Sequence, residues 1–206
     1  MLVGMLDIGN WVTQLGLFAV LSAIGLIVFA ESGLLVGIFL PGDTLLFAAG
    51  LVVAQGDLPL ILTMFVIFIA AVLGDNTGYF FGKATGQRLL HRKRGLFFRG
   101  DNIGRAEAYF KKYGAKTVFL ARFVPYIRTF TPIVAGIGHM DRKLFIAYNF
   151  AGALAWTVMT VLIGYWFGTK IPDIQQYMLP AVLIGIAIFF APTLWHLWQI
   201  RRSRHG

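Results

Sequence analysis

An all-α polytopic membrane protein is the fold class this sequence predicts: an inverted repeat with two re-entrant helical hairpins facing each other and about four full membrane-spanning helices. Three observations lead there. Hydrophobic residues make up 58% of the 206-residue chain against 13% charged, with a mean hydropathy of +0.74, far from the balance of a water-soluble domain. Apolar stretches long enough to cross a bilayer alternate with apolar stretches broken by proline and charge. The chain also echoes itself at a displacement of 84 to 86 residues. Together they predict a single integral membrane domain over residues 1–206, with repeat halves of about 11–82 and 101–168.

A bilayer core of about 30 Å takes about 20 helical residues at about 1.5 Å each. Residues 11–30, 58–81 and 177–200 meet that length, and 144–167 does so with only neutral Asn149 and small residues inside it. The first stretch is expected to be retained rather than cleaved, because residues 1–10 carry Asp7 and no Lys or Arg, whereas a secretory leader begins with positive charge. Segments 32–55 and 117–138 differ. Pro41, Gly42 and Asp43 interrupt the first, while Arg122, Pro125, Arg128 and Pro132 interrupt the second. Proline removes a backbone donor and crowds the preceding turn, and a charge at bilayer depth costs about 3 kcal/mol or more. Both segments are therefore read as re-entrant hairpins enclosed by protein.

Charge sets the orientation. The net charge is +9, and ten basic residues lie between Lys83 and Lys116 against only Asp101 and Glu107, so the basic loop 83–116 is expected on the cytoplasmic side. Arg201, Arg202 and Arg204 make the same claim for the C-terminal tail. Both hold if 117–138 returns to the side it enters while 144–167 and 177–200 cross, which places the N-terminus in the cytoplasm and opens the first hairpin outward. Within the loop, Asp101 is a candidate cap for a short interfacial helix with Ile103, Ala106, Phe110 and Tyr113 on one face and Gly114 as its stop. The loop's charge reads either as a topogenic, solvated surface or as a contact with lipid. No nucleic-acid-binding module accompanies it, so no nucleic-acid partner is expected.

The internal repeat is carried by Gly78-Tyr79-Phe80-Phe81-Gly82 against Gly164-Tyr165-Trp166-Phe167-Gly168, and by Pro41 with residues 44–50 (TLLFAAG) against Pro125 with 131–136 (TPIVAG). In the topology above, the first aromatic-glycine motif closes a helix on the cytoplasmic side and the second on the outer side, so the halves are inverted. Secondary transporters are built this way, with the substrate site where interrupted helices meet.

Four charges gather at those interruptions. Glu31 and Asp43 belong to the first hairpin and Arg122 and Arg128 to the second, so two acids are expected to meet two bases. Arginine stays protonated and its planar fork suits phosphate oxygens. Desolvation and a neighbouring guanidinium pull a carboxyl group's proton affinity in opposite directions, which suits Glu31 and Asp43 to proton coupling. The alternative is an ion-pair cluster that only fixes the packing of the hairpins. Gly74, Gly78 and Gly82 line one helix face for close packing, within one chain or between copies in a homo-oligomer. Asp75 beside them either is solvated near the cytoplasmic boundary or pairs with the arginines. Asn76, Tyr79, Tyr126 and Asn149 are polar lining or helix-packing residues.

Enzyme chemistry is not expected. The chain has no cysteine, and His91, His139, His196 and His205 lack ligand spacing, so neither a metal nor another cofactor is predicted.

Glu31-Ser32 with Pro41-Gly42-Asp43, then Gly74-Asp75 with Gly78-Tyr79 and Gly82, then Arg122-Phe123-Val124-Pro125-Tyr126-Ile127-Arg128 with Ala135-Gly136, resemble the DedA family of membrane proteins over about residues 15–170. The resemblance implies a bacterial inner-membrane lipid translocase dependent on the proton motive force, acting on undecaprenyl phosphate or on a phospholipid such as phosphatidylethanolamine. It further implies that Glu31 and Asp43 are the family's acidic positions and Arg122 and Arg128 its essential arginines, with Asp75, Pro41, Gly42, Pro125 and Tyr126 in support. Protons and a membrane lipid are the expected partners. A proton-coupled ion or drug antiporter that affects lipids only indirectly is the alternative.

Overall fold

The computed structural model describes residues 8–33, 42–90, 112–124 and 127–171, and the side chains of these except 8–14 and 86–90. Six helices are described: α1 (Ile8–Gly33), α2 (Gly42–Ala54), α3 (Leu60–Leu90), α4 (Lys116–Ala121), α5 (Ile127–Ile137) and α6 (Arg142–Lys170). Among the described residues there is no strand.

By length and composition α1, α3 and α6 can each cross a bilayer, over Leu15–Gly33, Leu60–Thr85 and Arg142–Lys170. Their outer faces carry exposed Leu15, Phe18 and Leu26 on α1, Ile61, Phe65 and Leu73 on α3, and Phe150, Leu154 and Trp166 on α6. A belt of this kind on three helices suits lipid rather than water. Local chemistry sets several ends. The Asp141 carboxylate accepts from the Lys143 and Leu144 amides at 2.9 and 3.0 Å and so caps α6. Gly56 turns the chain between α2 and α3 at φ 89°.

Packing crosses between the two ends of the chain. The short helix α2 lies chiefly on α6, the short helix α5 on α3, and α1 also on α3. Glycine makes these approaches possible. A Cβ on Gly50 would fall 2.8 Å from the Tyr165 nitrogen and 2.9 Å from Gly164 Cα, and one on Gly136 would fall 2.7 Å from the Lys83 nitrogen and meet the Tyr79 carbonyl. Gly50 and Gly136 are 86 residues apart, as are Tyr79 and Tyr165. Gly74 touches Gly33 of α1 and Gly82 touches Ile133 of α5, so the glycine face of α3 is where both helices dock.

One apolar cluster joins α1, α2, α3 and α6 around Val28, Leu46, Ile67, Ala71, Ala153 and Val161, and a second joins α3 to α6 around Tyr79, Val118, Ala135 and Phe145. Asp75 lies between Ala71 and Tyr79 along α3, and Asn149 between Phe145 and Ala153 along α6. A polar layer therefore separates the two clusters. Asp75 is midway between Leu60 and Leu90, and Trp156 is midway between Arg142 and Lys170, so the layer sits at the middle of α3 and α6.

Several boundaries differ from those the sequence predicts. Glu31, Ser32 and Gly33 continue α1 rather than opening a hairpin. The helix α3 runs on to Leu90, so the segment expected as loop from residue 83 begins as helix. Pro132 lies inside α5 without ending it. Gly114, by contrast, is where the sequence places a helix stop: it has φ 72° and follows helical Lys112 and Tyr113. Pro41, Pro125, Tyr126, the rest of the basic loop from 91 to 111 and the segment 177–200 lie outside the described residues.

Candidate functional site

The polar layer is held by two ion-paired groups. In the first, Arg128 at the start of α5 gives Nη2 to Glu31 Oε1 and Nη1 to Asp43 Oδ1, the latter at 2.8 Å. Glu31 comes from the last turns of α1 and Asp43 from the first turn of α2, so three helix ends converge here. Glu31 is buried, whereas the Asp43 side chain is 49% exposed. Gly42 lies directly against the Glu31 carboxylate, where any side chain would collide with it.

In the second group Arg122 pairs with Asp75 through Nη1, which also donates to Asn149 Oδ1 at 2.8 Å. Asp75 and Arg122 are both buried. This corrects the expected partnership. Glu31 and Asp43 do not share both arginines: Arg128 takes both Glu31 of α1 and Asp43 of α2, while Arg122 is held by Asp75 of α3 and Asn149 of α6. Of the two placements weighed for Asp75, the solvated cytoplasmic boundary gives way to the paired, mid-helix position. Asn149 belongs to the site. Tyr79 instead serves packing, with its hydroxyl donating to the Met140 carbonyl at 2.6 Å and its ring stacked on Phe145. Asn76 donates to Val72 of its own helix.

Trp156 links the two groups, and sequence reasoning missed it. Its indole Nε1 donates to Asp43 Oδ1 at 3.0 Å, and its ring lies 4.5 Å from the Arg128 guanidinium and 5.3 Å from that of Arg122. A signal was present. Membrane tryptophans concentrate at the two interfaces, so one at the middle of a 29-residue apolar helix is out of place.

Beside these groups lies an open cavity of about 320 Å³, lined by Asp43, Arg122 and Trp156 on its polar wall and by Phe47, Phe123, Met159, Thr160 and Ile163 elsewhere. Arg122 Nε, Glu31 Oε2 and Thr157 Oγ1 are buried without hydrogen-bond partners among the described residues. The arrangement offers guanidinium and indole donors beside an apolar wall, the chemistry of an anion that carries a hydrocarbon.

A bundle of apolar helices in which Glu31, Asp43, Asp75, Arg122 and Arg128 pair in one internal layer defines a polytopic helical membrane protein with an internal polar site. The VTT domain family matches residues 40–166, more than half of the chain. The chain is 42% identical over 165 residues to Protein DedA of Escherichia coli (strain K12), covering 79% of this chain and 74% of that protein. It is 35% identical over 205 residues to the Uncharacterized membrane protein Rv0364 of Mycobacterium tuberculosis (strain ATCC 25618 / H37Rv), covering 98% and 89%. A further relative, Inner membrane protein YqjA of Escherichia coli (strain K12), is 29% identical over 189 residues, covering 87% and 84%. No solved structure gives a significant match. This chain belongs to the VTT-domain family, the DedA family of membrane proteins.

Proposed function

We propose that this protein is a translocase, or flippase, that moves a phosphate-headed lipid across the bacterial inner membrane and is driven by protons. Undecaprenyl phosphate is the first candidate and a phospholipid such as phosphatidylethanolamine the second. The charge count of the polar layer carries the reading. Two guanidiniums, of Arg122 and Arg128, face three carboxylates, of Glu31, Asp43 and Asp75. Fully ionised, the layer holds one excess negative charge and repels an anionic head. A single proton taken up by a carboxylate removes that excess and releases guanidinium donors for phosphate oxygens. Glu31 and Asp43 are the proton-coupling groups in this reading, and Arg122 and Arg128 hold the phosphate. The apolar wall of Phe47, Phe123, Met159 and Ile163 suits the first part of the lipid tail. No covalent step, metal or cofactor is required.

In the same reading, α2 and α5 are the returning limbs of re-entrant hairpins in the segments 32–55 and 117–138, the first starting only after α1 ends at Gly33, and the halves 11–82 and 101–168 form an inverted repeat. The meeting of Asp43 and Arg128, each in the first turn of its short helix, supports this, as do the glycine contacts displaced by 86 residues. Both termini and the basic segment 83–116, whose first residues are the end of α3, face the cytoplasm, and the site alternates its access between the two sides. Arg128→Glu tests the reading. The inserted variant is expected to lose lipid transfer in proteoliposomes, and normal transfer by it contradicts the proposal.

A further inference from the structure

Trp156 stands where the proposed translocation reading needs a donor, and it has no role in that reading so far. Its Nε1 and Arg128 Nη1 converge on one oxygen, Asp43 Oδ1, at 3.0 and 2.8 Å. A carboxylate oxygen and a phosphate oxygen accept such donors in the same way. We propose that the indole N–H of Trp156 is a ligand for a phosphate oxygen of the lipid head, and that Asp43 is a resident carboxylate occupying that position while the site is empty.

Four observations support the assignment. Trp156 and Asp43 both line the cavity, and Asp43 also accepts from Arg128. Of the two carboxylates on Arg128, Glu31 is buried against Gly42, while Asp43 is half exposed and so the one that solvent or a ligand can reach. Two guanidiniums lie over the Trp156 ring, and its N–H is directed at Asp43. Indole nitrogen is a donor only, so the position takes an acceptor oxygen and discriminates against cationic heads. A phosphate monoester or diester is the ligand class this selects.

The test uses purified full-length protein in nanodiscs with n-decyl phosphate as probe and decanol as the headless control. Asp43→Ala removes the resident carboxylate and is expected to bind the probe at least about tenfold more tightly than the wild type. Trp156→Phe keeps a ring over both arginines but has no N–H; added to Asp43→Ala it is expected to weaken binding about tenfold, the loss of one charge-assisted hydrogen bond. The Trp156 indole resonance, assigned by substituting Trp11, Trp166, Trp195 and Trp198 in turn, is expected to move with decyl phosphate and not with decanol in the Asp43→Ala protein, a reading that needs no change at Trp156. Equal affinity of Asp43→Ala with and without Trp156→Phe, or an unmoved Trp156 resonance, overturns the assignment of Trp156. Unchanged or weaker binding by Asp43→Ala overturns the role of Asp43. Loss of binding on Arg128→Gln in those cases leaves the translocation reading standing, whereas binding indifferent to Arg128→Gln overturns both.

Discussion

Asp75 and Arg122 form a pair taken out of water on both sides, and its energetics are one-sided. Removing one partner strands a buried charge, which costs about 3–5 kcal/mol, while replacing both with apolar residues costs little. Asp75→Leu is therefore expected to lower the thermal unfolding midpoint in detergent sharply, and adding Arg122→Met to recover most of that loss while leaving lipid transfer abolished. Recovery of transfer with stability would reduce the pair to a packing device. The charged residues of this layer were legible in the sequence because few ionisable groups interrupt its apolar stretches. Their pairing was not. Spacing shows that Arg122 and Arg128 lie near one break and Glu31 and Asp43 near another, but the direction each side chain takes depends on how α3 and α6 enclose them. Asp75 therefore claimed Arg122, and Trp156 joined the site from a helix that reads as a plain apolar span.

Helix contacts here depend on backbone meeting backbone. An added methyl at Gly136 strikes the Tyr79 carbonyl, so Gly136→Ala is expected to destabilise by about 1–3 kcal/mol. Gly16→Ala meets nothing within 4 Å and is expected to leave the unfolding midpoint unchanged or raised. Differential scanning of the two purified variants checks both. The glycine faces were readable from four-residue spacing, and the apolar helices α1, α3 and α6 from hydropathy. Helix ends were read less well, for a physical reason. Hydropathy falls where α3 reaches Lys83, but intrahelical hydrogen bonds continue through polar residues as readily as apolar ones, and α3 continues to Leu90. The proline rule also overreached at Pro132. Its missing N–H leaves only the Arg128 carbonyl of α5's first turn without its usual partner, and the helix continues to Ile137.

At the scale of the whole molecule, the proposed topology puts the turn after α2 outside and the start of α6 in the cytoplasm. The chain has no cysteine, so single cysteines report directly on side. Asp57→Cys is expected to react with an impermeant maleimide added to intact cells, and Lys143→Cys only after the inner membrane is opened; both residues are exposed. The reverse pattern would invert the orientation, and equal labelling of both from one side would remove the crossing of α3. In the proposed cycle the polar layer, with its one excess negative charge, takes up a phosphate head together with a proton. The most direct measurement is translocation of labelled undecaprenyl phosphate and phosphatidylethanolamine in proteoliposomes, with and without an imposed pH gradient. Transfer is expected to favour one phosphate head and to follow the gradient. Equal movement of both lipids regardless of gradient, or movement of neither, would contradict it.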